Sequence, residues 1–234
     1  MSRTKIRVLS ADRLWPLLGD LPPSALAVID IDSTIVDTAP RNRRILESAV
    51  RRFPELEQVV PLLTRDDLGW GAARNAARRA ELDEARGEEL FQYWRARFFS
   101  NPWLAYDRPY PGAASLLQQL RARDIGIIYL SGRDIPNMKA GTLESLTAHG
   151  FPTGRGTRLL LKPDPMMPDL AFKREACEHI AGMGTVVLAL ENEPGNANAL
   201  KAAFPAAHVF LIRTITSPEP EPIRADIGQF DSYL

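Results

Sequence analysis

Five short apolar runs decide what this chain can fold into. Residues 26–31, 125–130, 158–161, 185–190 and 208–213 are rich in Val, Ile and Leu and stop at turn residues. Runs of this length without polar alternation fit strands buried on both faces. Helical patterns separate the later ones. Leu116, Leu117 and Leu120 share a helix introduced by Pro111 and Gly112, and Leu143 and Leu146 share another that Gly150 stops. Residues 170–181 and 196–204 make two more. Strands alternating with helices build βαβ units, so the expected fold is α/β with a parallel sheet.

The stretch from residue 39 to residue 107 breaks this pattern. Ile45, Leu46, Ala49, Val50 and Phe53 recur at helical spacing, as do Leu90, Phe91, Trp94 and Phe98. Residues 72–86 are rich in Ala and Arg with acids following, a strong helix-forming composition. The expectation is a helical domain, 39–107, inserted into an α/β core made of 1–38 and 108–234. Trp70, Trp94 and Trp103 are assigned to the core of the insertion rather than to base stacking, and the Gly69, Trp70, Gly71 turn is the part that reaches the site. After Arg213, repeated Pro blocks regular structure, and the last dozen residues are expected as a tail on the surface.

Composition narrows the function. Lys plus Arg and Asp plus Glu both number 29, so the net charge is zero and no basic field argues for a nucleic-acid partner. A single cysteine, Cys177, excludes an internal disulfide, and His149, His179 and His208 have no metal-ligand spacing. No run is long and apolar enough for a membrane helix, and the first residues lack a secretory apolar segment. The expectation is a soluble, cytoplasmic protein with no membrane partner.

The chemistry gathers at strand ends. The first strand runs into Asp30 and Asp32, which share one face of a strand. Two acids there are costly without a cation beside them, and the carboxyl end of an α/β strand is where ligands bind. The second strand ends in Ser131, Gly132 and Arg133. Lys173 opens a helix, and the fourth strand runs into Glu191, Asn192, Glu193 and Asn196. Each has a structural reading alone, as a cap, a turn or a solvated helix face. Together they converge on one edge of the sheet.

These residues resemble the haloacid dehalogenase superfamily over about 30–37 and 109–213. The family's Asp-x-Asp-x-Thr motif is read here as Asp30, Ile31, Asp32, Ser33 and Thr34. Ser131 matches the second motif. Lys173 is placed as the third-motif lysine, with Lys162 as competitor, because it starts the helix before the fourth strand. Glu191 and Asn192 stand at the fourth motif, where the family usually has two Asp residues, so Glu191 or Glu193 is left to supply the acidic metal ligand. The resemblance implies a Rossmann-like three-layer core with a helical cap of the type found in small-metabolite phosphatases. It further implies a magnesium-dependent phosphatase acting on a small phosphorylated metabolite.

In that reading Asp30 attacks phosphorus and Asp32, protonated at first, gives a proton to the leaving oxygen and later takes one from water. Ser131, Gly132, Arg133 and Lys173 bind the phosphoryl group. Magnesium is held by the Asp30 side chain, the Asp32 main-chain carbonyl and Glu191 or Asn192. Arg41, Arg43 and Arg44 are candidates for gripping a second anionic group, against solvated helix faces as the plain alternative. The competing functions are a phosphomutase, a nucleotide or nucleic-acid 3′-phosphatase, and a weakly catalytic phosphate-binding relative, the last prompted by Asn192.

Overall fold

The computed structural model describes residue 22 and residues 24–234. The part of the expected core that falls on residues 1–21 and 23 lies outside them. Six parallel strands form the main sheet: β1 (Leu26–Ile29), β4 (Gly126–Asp134), β5 (Thr157–Lys162), β6 (Val186–Glu191), β7 (His208–Ile212) and β8 (Gly228–Phe230). Their spatial order is β5-β4-β1-β6-β7-β8. The chain builds outward from β1 through β4 to β5, then crosses back to place β6 on the other side of β1. The strand order therefore reverses at β1, the position where open α/β sheets bind ligands.

Alternation along β1 separates the two faces. Ala27 and Ile29 pack with Leu116, Leu117 and Leu120 of α4 (Ala113–Ala122) and Leu146 of α5 (Ile135–Ala148). Val28 packs with Phe172, Ala176 and Ile180 of α6 (Asp169–Ala181) and Ala197 and Leu200 of α7 (Pro194–Ala203). Helices on both faces make three layers, and the near-continuous apolar strands are the consequence.

A two-stranded antiparallel ribbon joins the sheet to the segment between β2 (Val36–Asp37) and β3 (Arg108–Pro109). That segment holds α1 (Ala39–Ala49), α2 (Ala72–Arg79), α3 (Glu84–Phe98) and three short 3-10 turns. It has its own apolar cluster, including Leu46, Phe53, Leu56, Ala76 and Leu90.

The structure corrects three details. Residues 72–86 are not one helix. The chain breaks after Arg79, Glu81 adopts φ of 51°, and the Asp83 carboxylate caps α3 by accepting from the Arg86 N–H at 2.9 Å. A capped start outcompetes helix propensity there. Trp70 is not core but 58% exposed, while Trp94 is half-buried with its indole N–H donating to Asn42 Oδ1 at 2.7 Å. The C-terminal tail is not loosely draped, because β8 pairs with β7, Phe230 and Tyr233 are buried, and the Tyr233 hydroxyl donates to the Thr34 carbonyl at 2.8 Å.

The inserted segment leans on the core through α5 and the 3-10 turn at Asn101–Tyr106. The Gly141 N–H donates to Asn101 Oδ1 at 2.7 Å, and a Cβ at Gly141 would lie 2.5 Å from the Asn101 carbonyl oxygen. Main chain cannot swing aside as a side chain can. Gly141→Ala is therefore expected to destabilise by about 1–3 kcal/mol, read as a lower thermal midpoint. An unchanged midpoint would show that the two elements separate freely.

Candidate active site

Three neighbouring strands deliver the site. Asp30 lies just past β1, and its N–H still donates to the Leu190 carbonyl of β6 at 3.0 Å. The chain then turns tightly. Ser33 takes φ of 60°, and the Thr34 and Ile35 N–H groups both donate back to the Ile31 carbonyl. This turn folds the Thr34 hydroxyl onto Asp30 Oδ2 at 2.6 Å. Glu191 ends β6, and Ser131 lies in the neighbouring β4. Ser131 does not end its strand, since β4 continues to Asp134 with a register irregularity after Ser131. The Ser131 hydroxyl oxygen accepts from the Arg133 N–H at 3.3 Å.

Lys173, buried on α6, links two carboxylates. Its ammonium lies 2.7 Å from Asp30 Oδ1 and 2.6 Å from Glu191 Oε2. Lys162 does not enter the site. Its ammonium donates to Asp169 at 2.8 Å and to the Met167 carbonyl at 3.1 Å, closing the loop between β5 and α6. Burial pushes the Asp30 carboxyl up to about 7, and the charge of Glu191 adds to that push while Lys173 opposes it. Burial alone would lower Lys173, but the negative charges of Asp30 and Glu191 hold it above its ordinary value.

Asp32 has a different environment from the one expected. Burial would raise its carboxyl, but the charges and hydrogen bonds of Arg133 and Arg41 hold it far below the ordinary carboxylate range. Arg133 binds it with Nη2 at 2.6 Å and Nε at 3.0 Å, and Arg41 Nη2 lies at 2.7 Å. Both guanidiniums also reach the buried Asp107, at 2.7 Å from Arg133 and 2.9 Å from Arg41. The expectation of a protonated Asp32 is not met in this arrangement, where the two guanidiniums favour the ionised carboxylate. Arg133 and Arg41 are likewise not free for substrate. Arg43 donates to the Val60 and Leu63 carbonyls and Arg44 pairs with Glu47 on the surface, so neither approaches Asp32.

Asp107 was invisible in the sequence, because nothing around it marks a partner for two distant arginines. The residues after β6 also sort themselves. Glu191 Oε1 accepts from the Asn192 and Glu193 N–H groups at 3.0 Å each. Glu193 turns away to accept from the N–H and hydroxyl of Ser217. Asn192 receives the Thr34 hydroxyl on Oδ1 at 3.1 Å and donates from Nδ2 to the Ile215 carbonyl at 2.5 Å. Asn196 lies on the first turn of α7.

Magnesium prefers hard oxygens and is commonly held by one or two carboxylates with phosphate oxygens and water. By donor type, the Asp30 carboxylate, the Asp32 main-chain carbonyl and the Asn192 side-chain carbonyl suit it, and only the first is charged. The Glu191 carboxylate accepts from Lys173 on Oε2 and from two N–H groups on Oε1, as Asp30 accepts from Lys173 and Thr34. Among the described residues, no group of three or more His, Cys, Asp or Glu could hold a metal. The set fits magnesium as the companion of a phosphate rather than as the occupant of a closed cage.

Solved structures share this architecture. A protein assigned as a phosphatase from Clostridium difficile superposes with a TM-score of 0.61 at 10% identity, covering 91% of this chain and 96% of that one. A haloacid dehalogenase-like hydrolase from Streptococcus pneumoniae gives 0.55 at 12% identity, covering 88% and 93%. A predicted phosphoglycolate phosphatase from Haemophilus somnus gives 0.54 at 16% identity, covering 91% and 96%. At these identities the likeness is one of fold. No curated protein matches the sequence. No helix among the described residues is long and apolar enough to cross a membrane. The haloacid dehalogenase-like hydrolase family matches residues 25–203, which include Asp30, Ser131, Lys173 and Glu191 alike; the chain belongs to that family.

Proposed function

We propose that this hydrolase is a magnesium-dependent phosphatase that cleaves a small phosphate monoester through an aspartyl-phosphate on Asp30. One observation carries the reading. A buried carboxylate at the switch point of the sheet is gripped by a hydroxyl on one oxygen and an ammonium on the other, and that ammonium is itself anchored on Glu191.

Phosphoryl transfer is mostly positioning and charge stabilisation. Thr34 and Lys173 fix the Asp30 carboxylate for attack on phosphorus, forming the Asp–phosphate bond as the ester oxygen departs. Lys173 lies close enough to Asp30 to neutralise charge on the transferring group. Ser131, on the adjacent strand β4 just before its register irregularity, and the main chain of Gly132 are the further donors proposed for the phosphoryl oxygens. Magnesium would supply positive charge to the transferring phosphoryl group, and the Asp30 carboxylate, the Asp32 main-chain carbonyl and the Asn192 carbonyl are the groups proposed to hold it. Asp32, kept ionised by Arg41 and Arg133, takes the proton from the water that hydrolyses the aspartyl-phosphate. The helical segment at 39–107 acts as a cap over this site, excluding water from it.

An ionised Asp32 has no proton to give the departing oxygen. Esters with acidic leaving groups are therefore expected to react far faster. The test is phosphate release from a panel of aryl and alkyl phosphates with magnesium. Aryl phosphates of acidic phenols should exceed simple alkyl phosphates in kcat/KM by at least about 10²-fold, the usual worth of general acid catalysis. Equal rates across the panel would mean that Asp32 does donate a proton. No release from any ester would remove the phosphatase reading.

A further inference from the structure

Asn192 stands at the end of β6, where one more carboxylate would have faced the Asp30 side of the site. Its amide is fixed at both ends, with Oδ1 accepting from Thr34 and Nδ2 donating to Ile215. Thr34 also donates to Asp30, so Asn192 and Asp30 meet over a single hydroxyl. One hydroxyl away from the nucleophile there is thus a neutral oxygen held in place.

The formal charges around it are few. Asp30 and Glu191 carry two negative charges and Lys173 one positive, all buried and mutually paired. The cluster is one unit negative. A phosphate dianion arriving alone would make it three units negative. A divalent cation arriving alone would find one charged ligand and make the cluster one unit positive. Arriving together, the two restore the starting charge. Opposed charges in a water-poor site attract strongly, so each ligand creates the other's binding site.

We propose that Asn192 makes a divalent cation and a phosphate oxyanion bind this site as a mutually dependent pair. The inference rests on the phosphatase reading and specifies its order: the protein does not stockpile metal, and the metal enters with the substrate. Thermodynamic linkage makes the dependence reciprocal, so phosphate tightens the cation by the same factor as the cation tightens phosphate.

The test is thermal unfolding of the full chain under four conditions: no addition, magnesium chloride, inorganic phosphate, and both. The stabilisation by both is expected to exceed the sum of the separate stabilisations, with each ligand tightening the other at least about tenfold. Asn192→Asp is expected to let magnesium alone bind at least about tenfold tighter, with the coupling reduced. Should that variant fail to fold, the four conditions on the natural chain decide the matter alone. Separate, additive shifts from magnesium and phosphate would overturn this inference and leave the phosphatase reading standing. No shift under any condition would overturn both.

Discussion

Asp30→Asn lowers kcat/KM for phosphate release by at least about 10³-fold, without lowering the thermal unfolding midpoint. The loss follows from chemistry, because an amide oxygen is too weak a nucleophile to open a covalent path. The stability half follows from electrostatics. Two buried carboxylates share one ammonium, so the site carries an excess negative charge. The amide relieves that excess: its oxygen can still accept from Lys173, and its NH2 can donate to the Thr34 hydroxyl, which keeps its own bond to Asn192. Sites that store such cost commonly gain stability when disarmed.

The same substitution has a pH signature in the metal-free protein. The Asp30 carboxyl moves from an ordinary value of 3.8 to about 7 on folding. The folded state then binds more protons than the unfolded state between those limits. Stability contributed by Asp30 is fully present below 3.8 and is lost as pH rises through about 7. The midpoint of the natural chain should therefore fall relative to that of Asp30→Asn between pH 4 and pH 7. Parallel curves across that range would mean that Asp30 is charged throughout.

Arg133→Met should be the most destabilising single change at the site. Arg133 is fully buried and binds Asp32 twice, Asp107 once and the Thr142 hydroxyl at 3.2 Å. Deleting it leaves two aspartates on one remaining guanidinium, with Asp107 wholly enclosed. Breaking a buried ionic network from one side costs about 3–5 kcal/mol, or roughly 10 °C in midpoint for a chain of this size. Adding Asp107→Asn restores charge balance between Arg41 and Asp32. The double variant should recover at least about 1 kcal/mol of the loss, measured as a double-mutant cycle in denaturant. Strict additivity would mean that Arg133 and Asp107 act independently, against the 2.7 Å contact between them.

Much of the fold was legible because it rests on local patterns. Five of the six strands in the main sheet are continuous apolar runs, and parallel burial on both faces is what makes them so. The sixth, at Gly228–Phe230, is three residues long and follows a Pro-rich stretch, so its pairing with β7 exists only in the folded chain. The joining of Asp30, Lys173 and Glu191 could be read because the two acids lie at strand ends and Lys173 lies early in the helix that leads into β6, and topology carries these places to one edge. The arginine–aspartate network could not be read. Arg41, Arg133 and Asp107 are far apart in sequence, and their types alone do not distinguish a substrate grip from a structural lock. The same limit applied to Glu191 and Glu193, two residues apart, of which one faces Lys173 and the other Ser217.

The central claim is that Asp30 becomes phosphorylated during turnover. The most direct measurement is acid quenching of the full chain during steady-state hydrolysis of an aryl phosphate, followed by peptide mass spectrometry. The account predicts one added phosphoryl group on the peptide that spans the end of β1, localised to Asp30 and released by hydroxylamine. Steady turnover with an unmodified Asp30, or a phosphoryl group carried by another residue, would contradict it.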